Sequence, residues 1–170
     1  LPFQPVSSYI YLKSQNIAFS VENKFQISPK FSVSPGIRYE SGNSKLSGTT
    51  TYYDDDKDLP NTIKRNFPLL GLNTEYAFSK RQSVYAGFSQ AYRPVIFKDI
   101  IPGNVYEKVD KNLKDAFGYN LELGWRGAAG NFKWDVSAFR VQYNNRLGSI
   151  SLEKDSVFYI LRTNIGNSVT

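Results

Sequence analysis

Alternation of apolar and polar side chains constrains this chain more than any other feature. From Ile17 the odd positions run Ile17, Phe19, Val21, Asn23, Phe25, Ile27, with Ala18, Ser20, Glu22, Lys24 and Gln26 between them. Successive side chains of a strand point to opposite faces, so this period of two predicts a strand with one apolar face. Ser28-Pro29-Lys30 turns the chain, and Phe31, Val33, Pro35, Ile37, Tyr39 then alternate with Ser32, Ser34, Gly36, Arg38, Glu40. A second hairpin sets Leu70, Leu72, Thr74, Tyr76, Phe78 and Val84, Ala86, Phe88 against polar partners, turning at Ser79 to Gln82. A third sets Tyr119, Leu121, Leu123, Trp125 and Phe132, Trp134, Val136 on one face, turning at Gly127 to Asn131. The phase slips near Ala138-Phe139, after which Val141 and Tyr143 take the apolar positions, so a bulge is predicted there. A seventh strand is predicted around Val157 to Ile165.

The connections alternate too. Short turns at 28–30, 79–82 and 127–131 separate long polar segments at about 41–66 and 93–116. That order puts every tight turn at one end of the sheet and every excursion at the other. Membrane β-barrels are built this way, and soluble sandwiches do not normally segregate loop lengths so consistently. Aromatics agree: Phe25, Phe31, Tyr76, Phe78, Trp125, Phe132 and Trp134 all stand on the apolar face beside the short turns. For one hairpin, rings filling an ordinary β-core would be the simpler account. Three successive hairpins favour an interfacial girdle.

Composition then removes alternatives. Aromatics make up 15% of the residues, yet mean hydropathy is −0.41. No apolar run approaches the roughly 18 residues of a membrane helix, and the first residues carry no secretory-signal pattern. Barrel strands need only about 10 residues each and average out in hydropathy. The chain has no Cys, Met or His, which excludes disulfides, thiol nucleophiles, zinc fingers and imidazole-based triads or metal sites. A start at Leu1 rather than Met leads us to expect an internal slice of something longer. The net charge of +6 is scattered, with Lys64-Arg65 and Lys80-Arg81 the densest pairs, so no nucleic-acid face is expected.

Few residues suggest chemistry. Glu75 and Glu122 sit mid-strand on the polar face, but sequence gives no separation for an acid-base pair, and no enzyme is expected. Asp54, Asp56 and Asp58 alternate as in a calcium loop, yet Leu59 stands where Gly is needed and Arg65 where Glu is needed. A solvated acidic loop is the better account; no metal site and no cofactor are expected. Arg38 and Arg93, counted up from the short turns, approach the long-loop end with polar-face parity. Guanidinium groups there suit an anionic solute, and a structural ion pair of Arg38 with a neighbouring-strand Glu is the competing account.

Several stretches resemble one family. SPGIRYE (34–40), YAGFSQAYRPVIFKDIIP (85–102), GYNLELGWRG (118–127), YNNRLGSI (143–150) and NIGNSVT (164–170) are similar to strand and loop patterns of TonB-dependent outer-membrane receptors. The Tyr-Arg-Pro segment and the Asn-Asn-Arg-Leu-Gly stretch most resemble the ferric-citrate branch. The resemblance implies an all-β fold, an antiparallel meander of about seven strands within a plugged barrel of about 22. It implies that residues 1–170 are a partial barrel domain, with the plug and remaining strands outside it. It also implies a place in the Gram-negative outer membrane, among its lipids, and import of a ferric siderophore or citrate-like chelate. Partnership with the TonB complex would run through the plug. Arg38 and Arg93 are the positions expected near ligand. No plug, TonB box or barrel-closing terminal aromatic is found in the sequence. Two rivals are a complete eight-stranded outer-membrane barrel, adhesin- or porin-like, and a soluble carbohydrate-binding β-sandwich.

Overall fold

The computed structural model describes residues 8–50, 62–104, 106–110, 112–154 and 156–170. In chain order they form β1 (Ser8–Glu22), β2 (Phe25–Ser28), β3 (Phe31–Thr50), β4 (Thr62–Ser79) and β5 (Gln82–Arg93). There follow a single-turn helix α1 (Phe97–Ile100), β6 (Glu107–Val109), β7 (Ala116–Ala129), β8 (Phe132–Asn144), β9 (Leu147–Lys154), β10 (Val157–Asn164) and β11 (Ser168–Val169). One antiparallel meander runs β1-β3-β4-β5-β7-β8-β11, with β2 also on β3.

β1 and β2 are one line of travel in one register, Glu22 opposite Gly36 and Phe25 opposite Val33. The break falls opposite Pro35, which has no N–H for the ladder; only the Asn23 N–H bonds back, to Pro35 O at 3.3 Å. The three tight turns stand where alternation places them. Ser28 Oγ accepts from the N–H groups of Lys30 and Phe31, and Ser79 Oγ accepts from that of Arg81. The third turn is tighter than expected, because β7 runs on to Ala129 and Gly130 turns the chain at φ +58°.

Three expectations are corrected. The described residues of the segment 41–66, namely 41–50 and 62–66, are strand: β3 and β4 stay paired as far as Lys45 opposite Thr62. Backbone pairing continues through residues that are mostly polar, with Leu46 and Ile63 apolar among them, and alternation has too little contrast to report it. The acidic run Asp54–Asp58 lies outside the described residues. Second, β7 and β8 pair without a slip from Phe117–Asn144 to Ala129–Phe132, so no bulge exists at Ala138-Phe139. Phe139, Val141 and Tyr143 therefore share the inner face with Asp135, while Arg140 and Gln142 point outward; the faces change composition and the strand does not rotate. Third, β10 forms at the expected place but outside the meander. It pairs antiparallel with β9 and parallel with β6, and the chain rejoins the main sheet only at Ser168–Val169, opposite Tyr143 and Gln142.

Burial is inverted relative to a soluble sheet. Ile17, Phe19, Leu123, Phe132 and Val136 share one face and are 62–78% exposed. A contiguous apolar face of that extent does not persist in water. At its lower edge Trp125 meets Trp134 edge-on at 5.2 Å, Trp134 stacks on Phe132 at 5.8 Å, and Tyr76 meets Phe78 at 5.5 Å. The buried core lies instead at the long-loop end, where Val95, Phe97 and Ile100 pack with Leu46, Ile63, Leu113 and Leu147. Among the described residues no helix is long and apolar enough to cross a membrane, which leaves strands unaddressed.

Candidate functional site

Two polar assemblies occupy the face opposite the apolar one. The first lies near the short turns. Glu75 on β4 accepts from Arg126 Nη2 on β7 at 2.8 Å and from Ser83 Oγ on β5 at 2.9 Å, with Lys24 Nζ at 3.8 Å. Tyr85 donates to Asp135 Oδ1 at 2.9 Å, and the Arg126 guanidinium lies 5.0 Å over its ring. The Tyr85 ring crosses the position where Gly124 has no Cβ; any larger residue there overlaps it. Glu75 and Glu122 do line one concavity of about 260 Å³, but Glu75 is already satisfied by Arg126 and Ser83. The pair that sequence flagged is thus a hydrogen-bonded lining, without a free acid and base.

The second assembly is a cap over the long-loop end, made of the described residues of 94–115 and the β9-β10 hairpin. Arg162 on β10 donates to Lys98 O at 2.6 Å, to Ile101 O at 3.2 Å and to Glu107 Oε2 at 2.5 Å. Thr163 Oγ1 donates to Asp110 Oδ2 at 2.7 Å, and Asn164 clamps Lys114 through both its amide atoms. The Thr163 hydroxyl, then the Asn112 N–H, hold the Asp110 carboxyl below the usual carboxylate range. Asp115 accepts from the Tyr92 hydroxyl and from the Val95 N–H at 2.7 Å, fixing the chain as it leaves β5.

Arg38 and Arg93 are not brought together. β4 stands between their strands. Arg38 Nε donates to Glu40 Oε1 at 2.6 Å, so its partner is on its own strand, two residues on and on the same face, rather than on a neighbour. Arg93 Nη2 donates to Asp99 Oδ1 in α1 at 2.9 Å. Both guanidinium side chains remain about half exposed, at 48% and 49%. Arg93 lines a cap cavity of about 230 Å³ with Lys98, Asp99, Leu147, Arg162 and Thr163. Sequence reasoning missed Lys98 and Arg162. Nothing in the chain order shows that 162 meets 98.

Comparison with known proteins decides the family. A family model described as TonB dependent receptor-like, beta-barrel matches residues 1–170. The chain belongs to the TonB-dependent receptor family. Solved structures share its fold. The copper transporter OprC superposes with TM-score 0.66 at 13% identity, over 90% of this chain and 25% of that one. The ferric-catecholate import receptor Fiu from K12 E. coli gives 0.66 at 12%, over 94% and 24%. The ferric enterobactin receptor PfeA gives 0.63 at 17%, over 92% and 23%. This TonB-dependent receptor chain thus spans about a quarter of the length of the receptors it matches. None of the curated proteins matches it in sequence.

The family places these strands in the Gram-negative outer membrane. TonB-dependent receptors are transporters and not enzymes. The soluble sandwich is set aside by the family and by the apolar face. Among the described residues β1 and β11 form opposite edges of an open sheet, which is not a closed eight-stranded barrel.

Proposed function

We propose that these strands belong to the barrel of a receptor that imports an anionic ferric chelate, of siderophore or citrate type. Residues 1–170 contribute part of the barrel domain; the plug and the other strands complete it, and the TonB complex acts through the plug. The cap cavity supports this reading most strongly. Arg93, Lys98 and Arg162 line it, and Asp99 is the acid among its lining residues, so it presents net positive charge beside the apolar Leu113 and Leu147. Arg binds carboxylate oxygens through two parallel hydrogen bonds, and such charge-assisted bonds are about twice as strong as neutral ones. A chelate carboxylate or catecholate would compete with Asp99 for Arg93. Two of the structurally similar proteins are named for ferric-catecholate and ferric enterobactin, which is in keeping with an iron chelate as cargo.

Titration of the full-length receptor with a panel of ferric chelates tests the proposal. Arg93→Ala should weaken the cognate chelate by roughly tenfold, the equivalent of about 1.4 kcal/mol. Arg38→Ala should weaken it less, because Arg38 is not among the residues that line this cavity. Unchanged affinity in both variants would remove these residues from the site; binding of no ferric chelate at all would remove the substrate class.

A further inference from the structure

The cap cavity already holds an anion of its own. Asp99 Oδ1 accepts from Arg93 Nη2 at 2.9 Å and Asp99 Oδ2 accepts from the Ile96 N–H at 3.1 Å, so both carboxylate oxygens are committed. Only 17% of the Asp99 side chain is exposed, whereas Arg93 stays about half exposed. The turn that carries the acid is fixed from several sides. The Asp99 N–H donates to Ile96 O at 2.8 Å, Phe97 and Ile100 of the same turn are buried, and Arg162 holds the Lys98 carbonyl at 2.6 Å.

The other cations of the cavity differ. Arg162 spends its guanidinium on Glu107 and on two backbone carbonyls. Lys98 has an exposed side chain and, among the described residues, no ion pair. An anionic cargo that reaches Arg93 therefore exchanges one carboxylate for another, and Lys98 alone adds uncompensated attraction. Both the bond surrendered and the bond formed are charge-assisted, so they largely offset each other. We propose that Asp99 is the release residue of the cap. Its carboxylate lowers the affinity of Arg93 for anionic cargo and retakes the guanidinium as the cargo moves inward. A transport site has to bind well enough to capture and weakly enough to let go. An acid tethered six residues along the chain competes for Arg93 at high effective concentration, which no free anion in solution matches. This inference rests on the reading of the cargo as an anionic chelate.

The carboxylate fixes Arg93 in place and also takes up its charge, and Asp99→Asn in the full-length receptor separates the two. The amide has the same shape, keeps an oxygen for Arg93 Nη2 and gives up only the longer contact from Ile96; hydrogen exchange through 95–110 checks that the cap stays folded. Titration uses ferric citrate and ferric enterobactin, both anionic, and a neutral ferric trihydroxamate, with uptake of radioactive iron followed in cells. The variant should bind whichever anionic chelate the native receptor binds on the order of tenfold more tightly. It should bind the neutral chelate no better, and import the anionic one more slowly at saturation. Asp99→Glu keeps the charge and should stay near native in both readouts; a matching gain there would trace the effect to packing and overturn the proposal. Weaker or unchanged affinity for the anionic chelate in Asp99→Asn, or a gain shared by the neutral one, overturns the role of the charge. Tighter binding with an undiminished saturated rate overturns the release. These outcomes leave the cargo reading standing, whereas a native receptor that binds neither anionic chelate fails that reading and this inference with it.

Discussion

Replacing Leu123 with Arg in the intact receptor should destabilise the barrel in lipid by about 2–4 kcal/mol, the cost of a cation at the bilayer midplane. Leu123 lies six residues above the end of β7, about 14 Å up a band of roughly 25 Å, and is 63% exposed on the outward face. Its cross-strand neighbours are Ala86 and Ala138, which are too small to shelter a guanidinium. Phe117 and Tyr119 are too far up the strand to offer it an interface. Were this face in water, an exposed Leu→Arg change would stay within about 0.5 kcal/mol. Glu122→Leu, one residue away and facing inward, loses only a long contact from Tyr85 at 3.5 Å and should cost less than about 1 kcal/mol. Urea unfolding of receptor assembled in lipid vesicles separates the two variants, and equal effects would remove the assignment of the faces.

A second large effect is expected at Arg162. One side chain satisfies two backbone carbonyls and the Glu107 carboxylate, and thereby joins the 94–115 segment to the β9-β10 hairpin. Arg162 and Glu107 are each mostly buried, with 26% and 17% of their side chains exposed. Arg162→Met keeps the stem but removes the donor to two carbonyls and the cation beside Glu107, whose Oε2 keeps only the Gly103 N–H, and the cap should lose about 2–3 kcal/mol of local stability. Hydrogen exchange should accelerate through 95–110 and 157–164, while the meander strands β3 to β8 keep their protection. Arg162→Lys should rescue little, because a single ammonium cannot span the acceptors that a planar fork reaches together. Chelate affinity should fall with the cap, since Asp99, which holds Arg93, lies in the segment that Arg162 pins. Exchange unchanged in the cap would mean that its apolar core of Val95, Phe97 and Ile100 suffices alone.

The membrane-spanning part of the fold is legible because two solvents write on it. Lipid on one face and a wet interior on the other force strict alternation, and turns such as Pro29-Lys30 and Gly130-Asn131 punctuate it. Where most residues on both faces are polar, that contrast fails. β3 beyond Glu40 and β4 before Phe67 are paired strands mostly of Ser, Asn, Lys, Arg and Thr, and the isolated apolar Leu46 and Ile63 make no run that periodicity could reveal. The supposed bulge in β8 came from treating Val141 and Tyr143 as part of the apolar face. Unbroken pairing with β7 puts them inside, at the end nearest the cap. The cap itself depends on contacts 50 to 64 residues apart, as between Asn164 and Lys114 or Arg162 and Lys98, and nothing local encodes them. Arg93 was legible as an inward, upper-strand cation. Its tie to Asp99 was not, because the turn of α1 that carries the acid back is set by the buried Phe97 and Ile100.

Cysteine scanning of β7 tests the central claim most directly, because these 170 residues contain no Cys and each introduced thiol in them is unambiguous. Single Cys at 119 to 125 in the full-length receptor, labelled with a bimane fluorophore and assembled in vesicles, should report two environments in strict alternation. Labels at 119, 121, 123 and 125 should be quenched by brominated lipid and shielded from iodide; labels at 120, 122 and 124 should show the reverse. Uniform access to iodide, or alternation in the opposite phase, would contradict the account.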